Sequence, residues 1–478
     1  MVFIKDNKAK IYNILFWVTN LLFITYFLIW VSVNWDNQKV LYDYNVKMFP
    51  WICRLICVQL LSFRLKKVSF YDFGFWFVAI SYAFMFGYVF RDIFSLESRL
   101  LWNPIVNFGN SELFHAYVFV LLSLELFSFG YLIVYKSTYT LKKDKLYNIA
   151  PDERLYSIGV ILFLIGGIAR LINDLRIISV TQSANSYSAY SQAARSGLID
   201  DLAYLMLPGV FFIFFSGCIK QRAKKMIFVI VLAYLVCVMM LTGSRKIHIF
   251  SILSLFLGYE FSSKERHLSI RRAIIYAFIA IIILNVVITI RDYRNDLASI
   301  GPILIEKLLS FNIFENILEE VLAETGLTLL SVSAIIKVVP NVMPYQYGLT
   351  YLRTIPSFLP IGWLVGDFFD LASSTYVINS YTGIPVGSSF IGDLYWNWGY
   401  FGGGFVAFLF GILICKFFLH INNKSNTREA CAIYFSIFAQ LIVLVRSELI
   451  DVYRPVIMIF IIVFIVKKFN INIRMIKK

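Results

Sequence analysis

Arginines recur in this chain where apolar segments stop. Arg245 and Lys246 interrupt VMMLTGSRKIHIFSILS (238–254), and Arg291 and Arg294 open RDYRND (291–296) just past another apolar run. Arg353 stands among Pro and aromatic residues in NVMPYQYGLTYLRTIPSFLPIGWL (341–364), while Arg446 and Arg454 bracket Glu448 and Asp451 in RSELIDVYRP (446–455). A guanidinium keeps its charge and presents a planar fork of donors, so such a set, with Lys246, suits a phosphate or diphosphate and can steady it as a leaving group. A carboxylate beside it can take the proton of an attacking hydroxyl. Asp393, Glu324, Glu448 and Asp451 are the candidates. Tyr347, Tyr351, Trp363, Tyr395 and Trp396 present faces on which sugar rings stack, or equally the aromatic belt of a membrane interface. No carboxylate spacing suits a divalent metal, and no Walker loop or dinucleotide fingerprint is present, so neither metal nor cofactor is expected.

The elements that must hold these residues are membrane helices. Of the 478 residues 59% are hydrophobic and only 15% charged, against about 25% charged in soluble domains. Apolar runs place twelve spans near 11–33, 48–63, 73–90, 112–135, 155–170, 201–219, 226–242, 249–261, 273–290, 393–418, 431–445 and 455–466. The first reads as a retained anchor rather than a cleaved signal. Residues 226–261 would make one helix of about 54 Å, far beyond a hydrocarbon core of about 30 Å. Two spans therefore meet at a charged turn, built on Thr242-Gly243-Ser244.

Sidedness follows from the basic residues. With both termini in the cytoplasm, the inward segments carry 26 of the 44 Lys and Arg, and the outward ones 15. Arg245 and Lys246 then face outward. The net charge of +15 reads as orientation and contact with anionic lipid rather than nucleic-acid binding. All six Cys lie in expected spans as packing residues.

The expected fold is thus all-α: a polytopic bundle of about 12 spans in three blocks. Residues 1–290 hold nine spans, 291–392 form one large extracytoplasmic loop, and 393–478 hold the last three. A loop of that length is unusual unless functional. Within it Phe314, Ile317, Leu318, Val321 and Leu322 follow helical spacing opposite Glu315, Glu319 and Glu320, as in an amphipathic helix lying on the bundle or the membrane. Asp393 opens the tenth span, where Gly399 and Gly403 would allow close helix approach.

The TGSRK turn (242–246), ETG (324–326), PYQYGLTYLRTIPSFLP (344–360) and GDLYWNWGYFGG (392–403) together resemble the bacterial Wzy-type polymerases of O-antigen and other oligosaccharide repeat units. The resemblance implies a multi-pass inner-membrane glycosyltransferase, similar in architecture to the C-type superfamily. Such enzymes move a growing glycan from undecaprenyl pyrophosphate to a hydroxyl of a new lipid-linked repeat unit, and work beside a flippase and a chain-length regulator. On this likeness Arg245 matches the family's turn Arg and Glu324 its loop carboxylate. Arg353 lies in the Tyr-Gly to Pro segment, and Asp393 stands where Glu is commoner.

An O-antigen ligase would share the donor but use a loop His. The four His are 115, 248, 267 and 420, none within 291–392, and His248 reads as an interfacial residue beside the turn. A flippase would use intramembrane charge such as Arg54 or Arg170, but does not require one long outward loop. On the polymerase reading, Arg245→Ala, Arg291→Ala or Arg353→Ala reaches the membrane yet fails to extend glycan chains. Each loses a charged hydrogen bond worth about 1.5–3 kcal/mol. Polymer-length gels of the three variants check it.

Overall fold

A computed structural model describes residues 2–35, 44–93, 104–137, 143–183, 197–242, 246–263, 313–359, 366–382, 387–425 and 428–468, with single positions between 278 and 306. Every regular element among them is helical. In an apolar surround a backbone must satisfy its own polar groups, and a helix does so within one segment. The first four long helices are α1 (Val2–Asn34), α2 (Tyr44–Leu65), α3 (Phe73–Ile93) and α4 (Pro104–Val134). Then come α5 (Glu153–Ser183), a short helix Leu198–Ala203, α6 (Met206–Ser216), α7 (Gln221–Thr242) and α8 (Lys246–Ser262). The second half holds α9 (Ile313–Val338), α10 (Leu349–Thr354), α11 (Ser374–Thr382), α12 (Phe390–Ser425), α13 (Arg428–Leu441) and α14 (Leu449–Lys468).

Nine helices among the described residues are long and apolar enough to cross a membrane. They correspond to nine of the expected spans, with shifted ends. Residues 249–261 fall in α8, which has 17 residues, and 455–466 fall in α14. Most of 273–290 lies outside the described residues. Between α7 and α8 the helix stops at Thr242 and restarts at Lys246, so the 226–261 stretch is two helices, as its length requires.

The helix ends sort into two groups. At one end Arg428 donates to the carbonyls of Ile149, Ala150 and Phe215 at 2.7, 2.9 and 3.2 Å. Lys224 reaches Ser262 O at 2.9 Å and Lys143 reaches Glu260 O at 2.7 Å. These cations serve the unpaired carbonyls and negative dipole ends of α6 and α8. The opposite end joins segments 170–176, 198–201, 246–248, 371–375 and 447–454 through charged contacts.

Two local features place the site. Helix α9 does not lie along a surface in its second half, which, with Leu329 at 0% and Leu330 at 1% exposed, is buried against α3, α4 and α12. The reason is compositional: TGLTLLSVSAII (325–336) is apolar or small on every face, and the amphipathic pattern stops before it. Helix α9 crosses α3 in near backbone contact. A Cβ added at Gly87 would stand 2.2 Å from Leu322 O, and one at Gly326 would stand 2.6 Å from Tyr88 N.

Helix α12 is broken at Gly399, whose φ of 64° and ψ of −160° interrupt the helix. The half-helix 390–398 folds back along the rest, with the Phe390 and Phe410 rings 4.2 Å apart. A Cβ on Gly403 would sit 3.0 Å from Leu394 O. Gly403 gives the close approach expected of it, whereas Gly399 is the hinge. Asp393 is consequently 2% exposed inside the bundle, not at the mouth of a straight span.

Gly87→Ala is expected to cost about 1–3 kcal/mol by overpacking. Gly167→Ala, where nothing lies within 4 Å of the added Cβ, leaves stability unchanged or raises it. Thermal unfolding in detergent measures both.

Candidate functional site

Three charged pairs meet at the end of the bundle that carries α10 and α11. On α5, Arg170 and Asp174 are one turn apart, Nε to Oδ2 2.8 Å. Tyr234 of α7 donates to the same Oδ2 at 2.6 Å. Arg454 of α14 pairs with Asp201 of the short helix 198–203, both side chains nearly buried. Lys246 opens α8, where the helix dipole disfavours a cation. Its Nζ meets Asp451 Oδ2 at 2.7 Å, and Ser447 Oγ donates to the same oxygen.

A cavity of about 350 Å³ lies among them, walled by Arg170, Asp174, Asp201, His248, Asp451 and Arg454, with Ser357, Asp370 and Ser373 at its loop side. A second space of about 310 Å³ adjoins it. The two share Arg170, Tyr204 and Asp451, and the second continues between Leu207, Leu235, Ala439 and Val443. A polar chamber thus opens onto an apolar one at a charged ring. His248 Nε2 lies 3.0 Å from Arg170 Nη2.

Behind Asp451 sits a buried carboxylate, Glu448, that accepts from Ser373 Oγ at 2.6 Å, from Ser374 Oγ at 2.7 Å and from the backbone N–H groups of Ser374 and Thr375. It ties the start of α11 to the α13–α14 turn. Burial, reinforced by the Asp451 charge, raises the Glu448 carboxyl above its ordinary range. Burial acts on Asp451 in the same sense, but Lys246 and the Ser447 hydroxyl outweigh it and hold that carboxyl below its ordinary value. Asp393 accepts from Leu449 N at 3.2 Å through one oxygen, and its other oxygen is buried with no hydrogen-bond partner among the described residues. Of the four candidate bases, Asp451 faces the cavity, its side chain 42% exposed. Asp393 and Glu448 lie behind it, and the side chain of Glu324 lies outside the described residues.

The seven candidate cations divide. Lys246 and Arg454 are at the cavities. Arg353 donates to Leu371 O at 3.2 Å, bracing the loop that forms the cavity mouth. Arg446 packs its guanidinium over Phe84, 5.6 Å from the ring centre, and lines neither cavity. Arg245, Arg291, Arg294 and Trp363 lie outside the described residues. Among the aromatics, Tyr347 is 70% exposed and Tyr351 is half-buried. Tyr395 and Trp396, 3% and 1% exposed, are core. Tyr395 packs against Phe119 and Tyr400. The fold-back at Gly399 turns both inward, so no sugar reaches them.

Sequence reasoning missed Arg170, Asp174, Asp201 and His248 as site residues. A signal existed for the first two, since Arg and Asp spaced i, i+4 inside an apolar run must share a face. None existed for His248, whose partner is 78 residues away. Among the described residues the walls carry more carboxylates (Asp174, Asp200, Asp201, Asp370, Asp451) than cations (Arg170, Lys246, Arg454), and no group of His, Cys, Asp and Glu there could hold a metal ion.

The family model described as O-antigen polysaccharide polymerase Wzy matches residues 11–475 of the chain. No curated protein and no solved structure matches it.

The Arg454–Asp201 pair generates a stability test. Arg454→Met alone strands a buried carboxylate and is expected to cost about 3–5 kcal/mol, while Asp201→Leu with Arg454→Met recovers most of that. A double-mutant cycle by thermal unfolding reads the difference.

Proposed function

The chain belongs to the O-antigen polysaccharide polymerase Wzy family, and from that membership and the geometry of the charged cavity we propose where and how it works. As a member it is a multi-pass membrane glycosyltransferase that joins lipid-linked oligosaccharide repeat units into polymer. The proposal is that the polymerising site is the cavity between α5, α8 and α14, at the extracytoplasmic face of the inner membrane. The fold then has about 12 spans and both termini in the cytoplasm, which the basic residues at the opposite helix ends support.

One observation carries this reading. Arg170, Lys246 and Arg454 come from three different helices to the walls of two joined cavities. Arg454 Nε is moreover buried without an acceptor among the described residues. An undecaprenyl diphosphate group is the anion proposed to sit there, held by charged forks. Because the described walls are rich in carboxylates, Arg245, Arg291 and Arg294 are assigned to the same anion, Arg245 directly preceding Lys246 in the chain.

In the reaction the acceptor sugar's hydroxyl oxygen attacks the anomeric carbon of the donor glycan. The bond from that carbon to the diphosphate oxygen breaks, and undecaprenyl diphosphate leaves with the electron pair. Asp451, held ionised by Lys246, takes the hydroxyl proton. Direct displacement inverts the anomeric centre. The guanidiniums balance the charge that grows on the leaving group, and Tyr347, open at the loop, offers a stacking face to sugar. The chain-length regulator and flippase of the same pathway are the protein partners this assignment calls for.

Given lipid-linked repeat units and no added metal, the purified protein is expected to yield a ladder of products. Arg170→Ala and Asp451→Asn, at equal protein level, lower the rate by about 100-fold or more. A ladder undiminished in both variants would move the site elsewhere, and transfer of substrate across the bilayer without a ladder would favour a flippase.

A further inference from the structure

We propose that helix α10 and the turn after it form a two-faced entrance to the cavity: the outer face lies in the hydrocarbon of the outer leaflet, beside the polyprenyl tail of the substrate, and Ser357 on the inner face donates its hydroxyl to the substrate's diphosphate. The inference rests on the cavity being the polymerising site.

Helix α10 runs on into a 3₁₀ turn over Ile355–Phe358, so 349–358 is one short helical rod. Its amphipathicity is reversed. Thr350, Thr354 and Ser357 are buried, whereas Leu349, Leu352, Ile355 and, just beyond, Leu359 are between 41% and 62% exposed. At about 100° per residue the three hydroxyls share one face and the four aliphatic side chains the opposite one. A helix against water turns its leucines inward and its hydroxyls outward. The inverse order belongs to a helix with apolar surroundings outside and polar ones inside, so lipid hydrocarbon is the occupant assigned to the outer face.

The two threonines are satisfied. Thr350 Oγ1 donates to Asn397 Oδ1 at 2.9 Å, and Thr354 Oγ1 to Thr350 O at 2.9 Å. Ser357 is 7% exposed, and its Oγ has no hydrogen-bond partner among the described residues, although a helical serine can turn back on the preceding turn as Thr354 does. It stands in the cavity wall beside Asp370 and Ser373. A buried hydroxyl left unpaired is costly, so this one is completed by what fills the cavity. In a wall rich in carboxylates, a hydroxyl has a proton to give to the oxygen of an anion.

The order of groups in the substrate selects the diphosphate for that contact. In a polyprenyl-linked glycan the diphosphate is the joint between the tail and the first sugar. A wall with lipid on one side and the cavity on the other meets that joint. Leu359 marks the passage, since it is exposed outside and also lines the cavity. The rod packs against α14, the helix that brings Asp451 and Arg454 to the same cavity.

Two measurements on the full-length protein in liposomes test the two faces. A benzophenone amino acid in place of Leu352 is expected, on irradiation, to crosslink to phospholipid or to added undecaprenyl diphosphate, as is one in place of Phe405, 60% exposed on the membrane helix α12. A lipid adduct at Phe405 with none at Leu352 overturns the outer face. For the inner face, Ser357→Ala is expected to raise by about tenfold both the KM for a lipid-linked repeat unit and the concentration of undecaprenyl diphosphate that half-inhibits the reaction. Its melting temperature is unchanged or higher, because an unpaired buried hydroxyl has gone, and Ser357→Thr restores both constants to within about twofold. Wild-type values of both constants in Ser357→Ala overturn the inference. If Arg170→Ala and Asp451→Asn abolish chain extension while Ser357→Ala behaves as wild type, the site stands and only the entrance fails. If those two variants are themselves fully active, the site assignment fails first.

Discussion

A charge carried into an apolar bundle must be met by an opposite charge or by a full set of hydrogen bonds, and this constraint shapes the end of the molecule that carries α10 and α11. Arg170 with Asp174, Arg454 with Asp201 and Lys246 with Asp451 each satisfy it. The second pair links α14 to the short helix before α6 and the third links α8 to α14, while Arg176 with Asp200 ties α5 to the same short helix. Paired charges cannot collapse into a dry core, because their remaining polar edges have to be solvated or bound. A space therefore persists between the helices, and its walls are polar where an all-apolar interface would have closed.

Close approach of helices is the complementary constraint. Helix α9 reaches the interior because Gly87 and Gly326 remove the side chains at its crossing with α3. Gly399, with a positive φ, lets 390–398 fold back on α12. The fold-back at Gly399 brings Asp393 beside Leu449 and Glu448, beneath the cavity floor. The floor is held by hydrogen bonds to carboxylates, and the walls by ion pairs. Dispersion packing of Phe, Leu and Val supplies the remainder.

Much of this was legible in the sequence, and the boundary is physical. Length against bilayer thickness identified the nine spans seen among the described residues and divided 226–261 correctly, because both depend only on local apolar content. The expectation of sidedness rests on Lys and Arg counts, which act near each helix end. Lys246 and Arg454 stand out in the sequence because each borders an apolar run, and both line the cavities. What failed depends on tertiary folding. Tyr395 and Trp396 look open on a straight helix but are core on one bent at Gly399, and Arg446 stacks on Phe84 of a distant helix. The surface-helix reading followed the spacing from Phe314 to Leu322 in the first turns of α9 and could not see that 325–336 has no charged face. Arg170 was noticed as intramembrane charge, but its convergence with His248 is a contact between α5 and α8 that neither local sequence encodes.

The charge inventory also bears on turnover. A cavity with more carboxylates than cations among its described walls is not built to grip a diphosphate tightly, since each cation already has an anion at 2.5 to 3.0 Å. A diphosphate entering there exchanges for part of those contacts rather than adding to them, so the net gain is the difference between two charged interactions. Such exchange is suited to an enzyme that discards one polyprenyl diphosphate in every cycle. Binding energy held in the ground state would slow release, whereas contacts that strengthen as charge moves onto the leaving oxygen lower only the barrier. The paired carboxylates thereby set how strongly the arginines can act, and the site is as much a product of Asp174, Asp201 and Asp451 as of the cations that the sequence first brings to notice.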